Sequence, residues 1–173
     1  HIDFDVLLPN IVTDLLGVAI TVFIIDTMYR VRSDTERKKV LIAKLGSKNN
    51  AVATDALREL EAEGWLSDGS LNQAFLISCN LDGNSFSGAD LRRVSFSFAS
   101  LRETTWFEAD LQGAFLDHAD LTNATLSMHA VDTHFAEADL TGATLSNANL
   151  SGAKVRHEQL RKVRSLWKAK MPN

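Results

Sequence analysis

The stretch ADLRRVSFSFASLRETTWFEADLQGAFLDHADLTNATL, residues 89–126, returns one pattern every five residues. Its unit Ala89-Asp90-Leu91 recurs as Ala109-Asp110-Leu111, Ala119-Asp120-Leu121, Ala138-Asp139-Leu140 and Ala148-Asn149-Leu150. Working outward, a large apolar residue falls at Leu76, Leu81, Phe86, Leu91, Phe96, Leu101, Trp106, Leu111, Leu116, Leu121, Leu126 and Val131, then at Phe135, Leu140, Leu145, Leu150 and Val155. The step from Val131 to Phe135 is one residue short. Two positions before each stands a mostly small residue, from Ala74 and Cys79 to Ala148 and Ala153. His129 takes that place before Val131, which points it inward. A period of five fits neither an amphipathic helix, whose repeat is 3.6, nor a flat strand, whose repeat is two. The region must therefore be a repeat architecture, in which each unit buries its apolar side only by stacking on its neighbours.

The pattern resembles the pentapeptide-repeat family over about half of the chain. The resemblance implies an all-β solenoid, a right-handed quadrilateral parallel β-helix in which one pentapeptide forms a face and four form a coil. On that fold Leu or Phe fills the shaft, and the small residue two places earlier lets the chain turn the corner. With coils stacked at about 4.8 Å, roughly seventeen units make about four coils and a shaft about 20 Å tall. The expected division is a transmembrane anchor over 1–32, a helical linker and N-terminal cap over 33–64, the β-helix over 65–155, and a C-terminal helical cap over 156–173.

Val6 to Ile25 is nearly free of charge, and LLGVAITVFII, Leu15 to Ile25, is broken only by Gly17 and Thr21. A helix from about Asp14 to Arg32 is about 28 Å long, near the hydrocarbon thickness, with Pro9 where a helix can start. Arg30, Arg32, Arg37, Lys38 and Lys39 follow, which by the positive-inside rule leaves everything downstream in the cytoplasm. The sequence thus predicts a single-pass membrane protein, touching the bilayer through residues 6–29, with the β-helix on the cytoplasmic side. The competing reading is a helix buried against a partner protein. Asp26 lies four residues before Arg30, the spacing of an ion pair on one helix face. Asp14 has no such neighbour; within the hydrocarbon it would contact another membrane helix, and at the interface it would reach water.

Ser33-Asp34-Thr35-Glu36 reads as a capping box that opens a helix to Leu45, ended by Gly46. A second helix is capped by Asn49 or Asn50, carries the apolar stripe Val52, Ala56, Leu57 and Leu60, and closes at Gly64. Trp65 and Leu66 then cover the open end of the shaft, whose sheet edge needs a cap. At the other end Leu160, Val163 and Trp167 share one helical face and are expected to seal the last coil. Six basic residues follow from Arg156 onward against Glu158 alone. They suit the helix dipole, with acidic lipid headgroups or an acidic partner as the alternative.

Four repeats per coil stack residues about twenty apart. The face centred on Leu76, Phe96, Leu116, Phe135 and Val155 then points Phe75, Ile77, Phe98, Phe115, His118 and His134 outward, an aromatic load that reads as a protein-docking surface. The neighbouring face presents Asp82, Glu103, Asp120 and Asp139 with Arg102 and reads as solvated. The 173-residue chain has a net charge of −4, yet Asp68 to Val155 holds eleven acidic and four basic residues, a net of −7. Such a shaft resembles family members that imitate DNA and occupy topoisomerases, which makes an acidic regulator of a nucleic-acid enzyme the second reading. Aspartate before the central Leu is also the family's commonest choice there.

Catalysis is not expected. A shaft filled by its own side chains leaves no substrate cavity. Gly83-Asn84-Ser85-Phe86-Ser87-Gly88 lacks the spacing of a nucleophile elbow. His118, His129 and His134 carry no metal-ligand pattern, and there is no glycine-rich phosphate loop; no cofactor, nucleic acid or small-molecule substrate is expected. Cys79, the single cysteine, sits at an inward small-residue position, a packed thiol outside any disulfide framework. The resulting expectation is a non-catalytic, membrane-anchored scaffold that serves as an accessory subunit of a larger membrane protein complex.

Overall fold

Helix α1 runs without interruption over Phe4–Leu45, followed by α2 at Asn50–Ala62 and, near the end of the chain, the single turn α3 at His157–Leu160. The computed structural model describes the backbone of residues 4–172 and the side chains of Thr13 and 15–172. Two compact units emerge, His1–Lys39 and Val40–Asn173.

The first unit is helical. Asp26 and Arg30 form the expected ion pair at 2.9 Å. No helix starts at Ser33. Nothing in residues 30–36 breaks the backbone ladder, the Thr35 hydroxyl donates back to the Val31 carbonyl at 2.8 Å, and Glu36 pairs forward with Lys39 at 3.0 Å. Among the described residues, no helix is long and apolar enough to cross a membrane. This overturns the transmembrane anchor over 1–32, the bilayer contact over 6–29 and the single-pass placement with a cytoplasmic β-helix. The uncharged run between Asp14 and Asp26, Leu15 to Ile25, spans about 16 Å at the helical rise, against about 30 Å of hydrocarbon. The side chain of Asp14, expected to touch a membrane helix, lies outside the described residues.

The second unit is a right-handed β-helix with a helical cap. Leu41 and Leu45 of α1 and Ala53, Ala56, Leu57 and Leu60 of α2 are buried in one continuous core with Leu66, Leu71 and Leu76. Val52, expected in that stripe, is 40% exposed, and Ala53 takes its place. The cap also satisfies backbone groups of the first coil. Asn80 N–H donates to the Ser47 carbonyl at 2.9 Å and Asp90 N–H to the Leu66 carbonyl at 2.8 Å. The Asn50 amide donates to the Asp82 carbonyl at 3.1 Å.

Each coil pairs with the next through parallel bridges on four faces, such as Phe75↔Ser95↔Phe115↔His134↔Lys154 and Asp90↔Asp110↔His129↔Asn149↔Lys170. The central residues Leu76, Leu81, Phe86, Leu91, Phe96, Leu101, Trp106 and Leu111 are all fully buried; each such side chain contributes about 2 kcal/mol by leaving water. Corners are turned at left-handed backbone angles two places after the central residue, as at Ser78 (φ 58°), Phe98 (φ 61°) and His118 (φ 59°). The small residue follows that corner and points inward. None of the described left-handed positions holds Val, Ile or Thr, whose branched Cβ clashes there. Gly142 is further constrained, since the Asn123 Oδ1 lies where its Cβ would stand.

Trp106 replaces Leu in the shaft and needs a polar partner for its indole N–H. Thr104, in the small-residue position, accepts it at 2.7 Å and donates to the Leu101 carbonyl at 2.6 Å. The indole stacks on Phe86 with centroids 4.4 Å apart and meets Phe96 edge-on at 5.5 Å.

The short step lies between Leu126 and Ala130, not between Val131 and Phe135. Met128 and Ala130 are buried, whereas His129 faces outward and Val131 is half-buried. A large residue in the small position beside a small residue in the large position keeps the shaft volume constant. That exchange hides the register from a pattern that follows size alone.

The expected C-terminal helical cap over 156–173 is reduced to α3. Beyond it the chain rejoins the β-helix through Thr144↔Ser165 and Asn149↔Lys170. Leu160, Val163 and Trp167 therefore share no helical face, and Trp167 is 61% exposed. Pairing wins here because Arg164 N–H donates to the Ala143 carbonyl at 2.7 Å and Lys170 N–H to the Ala148 carbonyl at 2.9 Å, groups a helix would leave open. On the second face the buried Gln159 replaces the missing strand. Its amide donates to the Phe135 carbonyl at 2.7 Å and to the Ala138 carbonyl at 2.8 Å, and its Oε1 accepts from Arg156 N–H at 2.7 Å.

Gln159→Leu strands three backbone groups and is expected to cost about 2–3 kcal/mol in urea unfolding; an unchanged midpoint would contradict the role given to this amide. Burial pushes the Cys79 thiol up to about 12. Iodoacetamide at pH 8 should thus leave the native chain unmodified and alkylate it in urea.

Candidate protein-interaction surface

A β-helix with rigid, evenly spaced coils holds outward side chains in rows about 4.8 Å apart. On the first face, one row is Phe75, Ser95, Phe115, His134 and Lys154. Phe75 is 81% exposed on the first coil, and Phe115, two coils further on, is 38% exposed. Phe115 meets His134 edge-on, with centroids 4.7 Å apart and planes at 63°. At the corner toward the second face, Phe98 and His118 stack flat, 4.7 Å apart and within 3° of parallel. Ile77 is half-exposed beside Phe75. The structure thus joins Phe98 with His118 and Phe115 with His134, and leaves Phe75 and Ile77 together on the first coil. Between Phe115 and His118 in the chain, the Asp117 carboxylate accepts the Ala136 N–H at 3.0 Å, which ties it into the sheet.

Two exposed aromatics escaped the sequence reading. Phe107, 55% exposed, and Trp167 both lie on the third face. Phe107 stands immediately after the central Trp106, as Ile77 stands after Leu76, and that position was the available signal. Trp167 had none, because a helix was expected there. His129 faces outward on the fourth face, so the three histidines lie apart. Among the described residues, no group of His, Cys, Asp or Glu is placed to hold a metal ion.

The acidic rows have a structural explanation. A carboxylate before the central residue accepts the backbone N–H two places later: Asp110 from Gln112 at 3.0 Å, Asp120 from Thr122 at 3.0 Å and Asp139 from Thr141 at 3.0 Å. The carboxylate closes the turn, which is why Asp and Asn recur there. Arg92 donates through Nη2 to Asp90 at 2.6 Å and reaches Asp110 at 3.9 Å; Arg102 reaches Asp120 at 3.8 Å. The acidic surface is therefore partly neutralised by its own cations.

A family model described as pentapeptide repeats matches the chain in eight copies over residues 66–97, 89–127 and 128–156. No curated protein matches it. Among solved structures, the chain is similar to a pentapeptide repeat protein, Rfr23, of the cyanobacterium Cyanothece 51142, at 25% identity and a TM-score of 0.48, covering 57% of this chain and 64% of that one. It is also similar to a pentapeptide repeat protein of the Arabidopsis thaliana thylakoid lumen, at 34% identity and a TM-score of 0.44, covering 52% of this chain and 59% of that one. A third is HetL, involved in heterocyst differentiation regulation in Nostoc sp. strain PCC 7120, at 28% identity and a TM-score of 0.25, covering 56% of this chain and 46% of that one. The chain thus spans less than two thirds of the length of each.

Asp90 is held below the usual carboxylate value chiefly by Arg92, and Asp139 chiefly by the Thr141 hydroxyl. Their stabilisation is present above the unfolded value of about 4 and is lost as pH falls through the folded values. Urea titrations from pH 5 to pH 3 should show a smaller loss of stability for Asp139→Asn than for the native chain. An equal loss would assign the acid sensitivity to other groups.

Proposed function

The chain belongs to the pentapeptide-repeat family, and we propose that it is a non-catalytic docking module, an accessory subunit of a larger protein assembly. The observation that carries this reading is the surface of α1 in the first unit. Every large apolar side chain from Leu15 to Val31 is between 48% and 71% exposed. They encircle the helix instead of forming one stripe, and a helix apolar all round is a helix that another surface buries. The cover comes from a protein partner. The first face of the β-helix supplies a second contact through Phe75, Ile77, Phe98, Phe115, His118 and His134. Aromatic side chains on a rigid backbone bury much area at little conformational cost, which suits an interface anchor.

Charge imitation of nucleic acid is the weaker reading. The carboxylates it would require close backbone turns and share their surface with Arg92 and Arg102.

The test is gel filtration of the tagged chain from native extract, without detergent, followed by cross-linking. The chain should elute well above its own 19.1 kDa with little dependence on salt. Val22→Glu with Phe23→Glu, or Phe98→Ser with Phe115→Ser, should return it to a lower mass while the circular dichroism stays unchanged. Elution at its own mass, or an assembly untouched by both pairs, overturns the proposal. An assembly dissolved by salt alone favours charge imitation.

A further inference from the structure

The missing residue between Leu126 and Ala130 cuts one corner of the shaft. The coils on either side turn this corner through left-handed residues, Glu108 (φ 56°) and Asn147 (φ 63°). The short unit has none; it passes from Ser127 to Met128, whose side chain turns inward and is buried. Removing a corner residue from one coil while its neighbours keep theirs leaves a notch. It has a volume of about 300 Å³ and is lined by Phe107, Glu108, Ser127, Met128, His129 and Asn147.

The notch has a definite chemistry. Phe107 is 55% exposed and, among the described residues, makes no ring contact, so its face is open. Glu108 is exposed and its carboxylate has no ion pair or hydrogen bond among the described residues, unlike Asp90 and Asp120 on the other faces. The Asn147 side chain is likewise uncommitted, whereas the Ser127 hydroxyl is spent on the Ser146 carbonyl at 2.8 Å. An open aromatic face beside an unpaired carboxylate and a free amide oxygen is a receptor for a cation. A planar guanidinium carries both complements, a flat face for the ring and N–H edges for the two oxygens. An ammonium meets a ring face only as a point charge, as Lys168 does over Trp167, and offers no planar fork to the two oxygens.

We propose that this notch seats the guanidinium of an arginine presented by a protein partner. The source of the arginine rests on the docking reading above; the notch does not, and it can be tested with a free probe. The probe is N-acetyl-arginine amide, titrated into the intact chain carrying ¹³C-methyl methionine, with Met128 at the floor of the notch as reporter. The Met128 methyl should shift saturably at millimolar probe, while Met28 and Met171 stay still. N-acetyl-citrulline amide, similar in shape but uncharged, should bind about ten-fold more weakly. Glu108→Gln should weaken the probe about ten-fold and Phe107→Ser about five-fold, with unchanged urea midpoints because both side chains are exposed. No saturable shift, equal binding of the citrulline compound, or full binding to Glu108→Gln overturns the proposal. A bound probe together with an assembly indifferent to Glu108→Gln overturns the partner arginine and leaves the docking reading standing.

Discussion

Backbone pairing between successive coils is the constraint on which the β-helix depends. Each coil offers a parallel edge, and every bridge from Phe75↔Ser95 to Asn149↔Lys170 obliges the next coil to repeat the same path. Four corners per coil then require left-handed residues at a fixed place, and the shaft requires one apolar side chain per unit. The period of five is the sequence's record of that requirement. Where pairing and local propensity disagree, pairing prevails: residues 161–170 carry an apolar helical pattern, yet they form the start of another coil.

Interior packing tolerates exchange provided that volume and polar satisfaction are kept. Met128 beside Ala130 trades a large for a small position. Trp106 is admitted because Thr104 accepts its indole N–H. Gln159 goes further and stands in for a strand, with one side chain meeting three backbone groups. In each case the shaft stays filled and no polar group in the exchange is left without a partner.

The same rigidity governs the surface. Rows spaced by the coil rise bring Phe98 against His118 and Phe115 against His134, pairs that lie twenty and nineteen residues apart in sequence. The deviation from the period opens a notch at one corner, where Phe107 and Glu108 stand uncommitted among the described residues. The acidic rows, by contrast, are largely the chemistry of turn closure. The proposed docking role draws on the aromatic pairs, the notch and the apolar girth of α1, and not on the most numerous charges.

The sequence alone determined the solenoid, the shaft residues from Leu76 to Leu126 and from Phe135 to Leu150, the outward placement of Phe75, Ile77, Phe98, Phe115, His118 and His134, and the end of α1 at Leu45. These follow from periodicity and local breakers, which are properties of neighbouring residues. The tertiary structure decided what depends on pairing across coils. It placed the short step at Met128, turned His129 outward, replaced a C-terminal helix with a further partial coil and exposed Trp167. It also carried α1 through Ser33, where a capping signal met no break. A one-residue register shift or a choice between helix and coil is settled by hydrogen bonds to residues some twenty positions away, and no local pattern contains them.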